Sequence, residues 1–260
     1  VVQSADPNGL SAVIQALKSR NFDARAIAGL ANDLWVSAGK SLGYVMTTFK
    51  ANGFDLKTRA ILLRDVFGAD VGTAHGALFP TMDSSESANY MKYYLAGGYD
   101  PIDLADYFMN RLAGGSAEAF RQLRLAGLDA ARALQAVHDA AARSGGALSL
   151  NDAGQLFFKD YSNAYQPADV VKALKSVYAQ DPNATFDAAS VAAALGTRWY
   201  WDRYAIGQAL IDQLGVTMRQ WVELERTSAV YGCSCSVRTV LSDTRYLFAD
   251  ATIEDIIVVM

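Results

Sequence analysis

Two histidines, two cysteines and a few clustered carboxylates are the side chains of this 260-residue chain with the means to do chemistry. His75 sits in VGTAHGALF and His138 follows a run of alanines. Neither stands in an HExxH spacing or beside a Cys or second His that would build a metal centre. His138 and Asp139 are consecutive, so on a helix they diverge and do not start a triad. No nucleophile elbow, no P-loop and no GxGxxG between a strand and a helix occurs. DPNATFDAASVA, from Asp181, puts oxygen-bearing side chains at alternate positions, as a calcium loop does. It has Phe186 where that loop needs Gly and Ala192 where it needs a bidentate Glu. A turn with a helix cap is the better reading. Asp181, Asn183 and Asp187 are a weak cation candidate, and no metal site or cofactor is expected. The pairs Asp103/Asp106 and Glu223/Glu225 read as solvated helix faces. Cys233 and Cys235, in GCSCS, are too few for a disulfide framework or a zinc site, and an i,i+2 bridge is strained. They read as two thiols in a turn. No catalytic residue is assigned.

The aromatic run TRWYWDRY, ending at Tyr204, is the strongest binding signal. On a helix Trp199 points away from Trp201 and Tyr204, so one core does not bury all three. Arg198, Trp199, Trp201, Arg203 and Tyr204 together have the composition of a protein-binding hot spot. The competing reading is a helix sandwiched between two layers. Tyr90, Tyr93 and Tyr94 share one face and most simply pack inward.

The elements that position these residues follow from a recurring phrase. ANGFD, AGGYD, AGLD and ATFD each precede a helical apolar pattern. An Asp at N-cap accepts from an unpaired amide of the first turn, and its charge suits the positive end of the macrodipole. The apolar residue before it packs on the fourth helical residue. Phe22, Tyr99 and Phe186 are so matched to Ile27, Leu104 and Val191; Tyr165 and Val216 are matched to Val170 and Trp221. Phe54 breaks the rule, because its counterpart is Arg59. Gly53, Gly98 and Gly127 are placed to end the preceding helices in the left-handed conformation. About a dozen short helices are implied.

The anchors recur loosely, 32 residues from Phe22 to Phe54, 45 to Tyr99 and 29 to Leu128. The expected fold is therefore all-α: irregular helical hairpins stacked as an α-solenoid-like or compact helical array. From about residue 229 the chain turns β-branched and aromatic, as in SVRTVL, RYLFADA and EDIIVVM. Propensity there predicts a small strand-bearing segment. The expected domains are 1–228, helical, and 229–260, a strand-containing appendage or the start of a further domain.

Apolar residues make up 52% and charged residues 19% of the chain, which excludes a disordered protein. A net charge of −4 argues against nucleic acid as a partner; the exception is a local basic patch around Arg121, Arg124 and Arg132. No apolar run reaches the roughly 20 residues of a membrane span. The chain starts at Val1 and ends on an apolar run, so it is expected to be trimmed, as a mature secreted protein or, the favoured reading, a fragment of something longer.

The phrases ANGFD, AGGYD and AGLDAARAL, with ALKSVYAQD and LLRDVFGAD at helix ends, resemble the tandem helical repeats of large secreted bacterial proteins. The resemblance covers roughly residues 20–225 and implies a modular, secreted or cell-surface piece, with no catalytic motif carried over. The function expected is a non-enzymatic helical module for protein–protein interaction or scaffolding, its partner another protein or neighbouring domains of the same chain. The alternatives are the helical part of a membrane-active toxin or effector, and an enzyme with a dispersed active site.

Overall fold

The Asp-led phrases do open helices in the computed structural model, which describes residues 9–111, 113–160, 164–196, 202–227 and 235–260. The Asp23 carboxylate accepts from the Ala26 amide at 2.7 Å, Asp55 from Thr58 at 2.7 Å and Asp187 from Ser190 at 2.7 Å. These bonds are stronger to the ionised acid, and the backbone amides hold the Asp55 and Asp187 carboxyls below their ordinary value. The matched residues Ile27, Leu104, Val170, Val191 and Trp221 are all buried. Gly53, Gly98 and Gly127 have φ of +81°, +86° and +103°, the region that side-chain-bearing residues avoid.

The chain forms two units, Val1–Phe108 with Leu125–Gly127, and Met109–Arg124 with Leu128–Met260. The first holds α1 (Gly9–Ser19), α2 (Ala24–Ala31), α3 (Leu42–Ala51), α4 (Leu56–Asp65), α5 (Val71–Leu78), α6 (Ser84–Ala88), α7 (Tyr90–Ala96) and α8 (Pro101–Met109). Here α1, α3 and α5 pack in succession, and α4 packs between α2 and α7. The second holds α9 (Gly115–Leu125), α10 (Ala130–Arg143), α11 (Leu150–Lys159), α12 (Pro167–Tyr178), α13 (Ala188–Gly196), α14 (Arg203–Leu214), α15 (Met218–Arg226), α16 (Val237–Leu247) and α17 (Ile253–Val259). There α10, α12, α14 and α16 pack in succession, with α11 on α13 and α15 on α17. Helices approach closely where side chains are smallest: a Cβ on Gly154 of α11 would lie 2.9 Å from the Ala194 carbonyl oxygen of α13.

Seventeen α-helices are present among the described residues, more than the dozen expected, and no strands. The strand-bearing C-terminal segment is thus a misreading. Its β-branched residues fall at helical spacing, so that Val240, Asp243 and Thr244 turn inward together. Ser236 caps α16, and a reciprocal capping box between Thr252 and Asp255 starts α17. Caps and packing outweigh a β propensity that spans only about 1 kcal/mol.

Candidate functional site

Of the residues expected to bind a partner, Arg198, Trp199 and Trp201 lie outside the described residues, whereas Arg203 and Tyr204 form the first turn of α14. Asp202 caps that turn through the Ala205 amide. Arg203 then reaches α16, its Nη1 2.5 Å from the Asp243 Oδ2. Tyr204 lies against Tyr246 of the same helix, with ring centroids 4.3 Å apart. The Asp243 carboxylate beside it raises the Tyr204 phenol above its ordinary value.

Beneath this pair, α15 contributes a second carboxylate. Thr217 and Gln220 make a reciprocal capping box that sets the start of α15, and Trp221 and Glu225, one turn apart, point inward. Glu225 is 1% exposed and Asp243 2%. Neither carboxylate oxygen of Glu225 has a hydrogen-bond donor. Burial, followed by the hydrogen bond and negative charge of Asp243, pushes the Glu225 carboxyl up to about 8, against the opposing pull of Arg203. Close packing seals the site: a Cβ on Gly207 of α14 would meet Leu247 Cδ1 at 2.4 Å and the Trp221 ring at 3.0 Å.

Exposed apolar side chains concentrate on the two helices beside this cluster, interspersed with exposed Arg238, Arg245, Glu254 and Asp255. Of the eight large hydrophobic side chains that are exposed among the described residues, five fall on α16 and α17: Val237, Tyr246, Ile253, Ile257 and Val258. Tyr246 is 69% and Val258 79% exposed. On the inner side Ile256 joins Val222 and Val240 in a small core, so α17 carries apolar side chains both inward and outward, with exposed Glu254 and Asp255 in its first turn.

The other candidates are committed elsewhere. His75 Nδ1 lies 3.1 Å from the Tyr94 hydroxyl, inside a sheath of Phe79, Tyr90, Tyr107 and Phe108. Tyr90 and Tyr94 are buried as expected, while Tyr93 stays partly exposed. The His138 ring bends back to Asp139 at 3.2 Å despite their divergence along the helix, and its Nε2 lies 3.3 Å from Asp181. Asp181 also accepts from the Asn183 amide, and Asp187 is a cap, so the loop is a turn with a helix start.

In the basic patch, Arg121 pairs with Glu118 and Arg132 lies 3.5 Å from Asp129. Arg124 donates to the Tyr165 hydroxyl at 2.9 Å and to the Leu128 carbonyl. Tyr165 in turn donates to buried Asp160 at 2.6 Å. Arg124, Asp129 and Tyr165 edge a groove of about 610 Å³ in the second unit, with Lys172, Asp169 and Ser176. Each of the three arginines already faces an oxygen, which leaves little attraction for phosphates.

The reading of Glu223/Glu225 as a solvated pair is half wrong: Glu223 is exposed and Glu225 buried. The signal was present. Trp221 was placed inward by its clasp with Val216, and a residue four positions on shares its face. Asp243 bears the same relation to Val240, three positions earlier. Comparison of the chain with protein-family models, curated proteins and solved structures finds no match.

Proposed function

We propose that the chain is a non-enzymatic helical interaction module, an α-solenoid-like array whose α16–α17 surface docks a protein. The observation that carries this reading is the concentration of exposed Val237, Tyr246, Ile253, Ile257 and Val258 on two consecutive helices. The succession of every second helix supports the array, because it is the packing order of stacked hairpins. Exposed Glu254 and Asp255 on α17 favour a protein over an anionic bilayer as the occupant, and no helix among the described residues is long and apolar enough to cross a membrane. The sealed state of Glu225 and Asp243 weighs against an acid–base site, since a catalytic proton must reach substrate. The resemblance to secreted bacterial repeat proteins supports reading the module as part of a larger secreted or cell-surface chain. A photo-crosslinking residue installed at Tyr246 or Val258, compared with one at exposed Phe22, tests the docking surface. Discrete protein adducts at the first two sites and none at the third are expected; equal labelling at all three would sink the reading.

A further inference from the structure

Two buried carboxylates, on α15 and α16, lie beside the partly exposed guanidinium of Arg203 on α14. Arg203 is turned to Asp243 at 2.5 Å, and both Glu225 oxygens are without donors at 1% exposure. Among the described residues, two buried acids face one cation, which leaves a surplus negative charge, and such a charge is very costly. Among the described residues, Asp243 on α16 and Arg203 on α14 are the charged groups facing Glu225. The Tyr204 phenol bears on Asp243, and the Cys235 backbone amide, 3.3 Å away, donates to the Glu225 carbonyl rather than to its side chain. Every other Asp, Glu, Lys and Arg side chain of α14 to α17 is exposed.

We propose that Glu225 and Asp243 form a one-proton clasp, in which the Glu225 carboxylic acid donates to the Asp243 carboxylate and loss of that proton to solvent loosens α16 and α17 from α15. The clasp balances the site as one acid, one carboxylate and one guanidinium. Its opening places two carboxylates against each other and undercuts the Val222–Val240–Ile256 core that holds α17. Burial holds the Glu225 proton until about pH 8, so the device switches in mildly alkaline solution. It stands whether or not a partner docks outside.

The sign of the linkage is definite. A carboxyl whose folded pKa is raised contributes stability that is full below its unfolded value and lost as pH rises through the folded one. The melting temperature of the 260-residue chain is therefore expected to fall steadily from acid to about pH 8 and then level, on account of this group. Glu225→Gln keeps the shape, the neutrality and a donor for Asp243. It should match wild type near pH 5, melt several degrees higher than wild type near pH 9, and abolish the slope. Amide exchange in α16 and α17, corrected for intrinsic rate, should accelerate above pH 8 in wild type only. A variant with the wild-type slope, or a wild type with none, overturns the clasp. Should Glu225→Gln fail to fold, infrared spectra of wild type bearing ¹³C-labelled glutamate decide the matter. A protonated, buried carboxyl band at pH 6.5 that disappears by pH 9 is expected, and its absence at pH 6.5 refutes the proposal.

Discussion

Arg59 in the first unit and Glu225 in the second are both fully buried ionisable side chains on inward helix positions, yet their surroundings differ in one respect: the count of opposite charges. Arg59 donates through Nη1 to the Thr81 hydroxyl at 2.6 Å and through Nη2 to Glu86 at 3.2 Å. Glu86 also accepts from Lys50 at 3.0 Å and from the Asp83 amide at 3.0 Å, and Lys50 reaches the Thr81 carbonyl at 2.6 Å. Each charge there has a partner and each oxygen of Glu86 a donor. Burial alone pulls the Arg59 guanidinium down, and Glu86 foremost opposes it. Around Glu225 the described residues supply one positive charge for two acids, and in the proposed clasp a proton makes up the difference. Matched charge gives a permanent lock; mismatched charge gives one that depends on pH.

Substitutions sharpen that contrast. The largest effect is expected from Arg59→Ala, which strands Glu86 and opens a hole beneath α4. Breaking a buried pair costs about 3–5 kcal/mol, and urea unfolding should record that loss equally at pH 5 and pH 9. A loss that varied with pH would erase the distinction from Glu225. Gly207→Ala comes next. Forcing a methyl between Leu247 and Trp221 overpacks the wall of the acid pair at a cost of about 1–3 kcal/mol. If it also lets water in, the pH slope attributed to Glu225 should flatten, which the same melting series would register.

A smaller effect, about 1 kcal/mol, is expected from Asp55→Ala through loss of a cap. Its pH dependence runs opposite to that of Glu225. The Asp55 carboxyl is lowered by the Thr58 amide, so its contribution is present above the ordinary carboxylate range and lost as pH falls through it. The difference in unfolding free energy between wild type and Asp55→Ala should close in acid. Smallest is Tyr246→Ala, expected to change stability by under about 0.5 kcal/mol as an exposed residue. Its effect should instead appear as weaker crosslinking at Val258.

The helical architecture was legible because its signals are local. A cap needs an oxygen three residues before an amide, and a clasp needs two apolar side chains five residues apart; both are spelled out in consecutive letters. The tail shows the limit of reading propensity alone. SVRTVL has the composition of a strand, but Ser236 and the inward spacing of Val240, Asp243 and Thr244 belong to a helix. The candidate site was legible only in its first turn. Arg203 and Tyr204 stand out by type, whereas Glu225 looks like any acid beside Glu223 until Trp221 fixes which way it points.

The sequence by itself determined where most helices before the C-terminal tail begin, and that the catalytic and metal motifs sought in it are missing. Only the tertiary structure decided that Glu225 and Asp243 are buried together beside the partly exposed Arg203, the three drawn from three helices. It also decided that Arg59 finds Glu86 while Glu225 finds another acid. The reason is one of range: capping and amphipathic spacing act within a turn or two, but the energy of a buried charge depends on which distant side chains the packing brings against it.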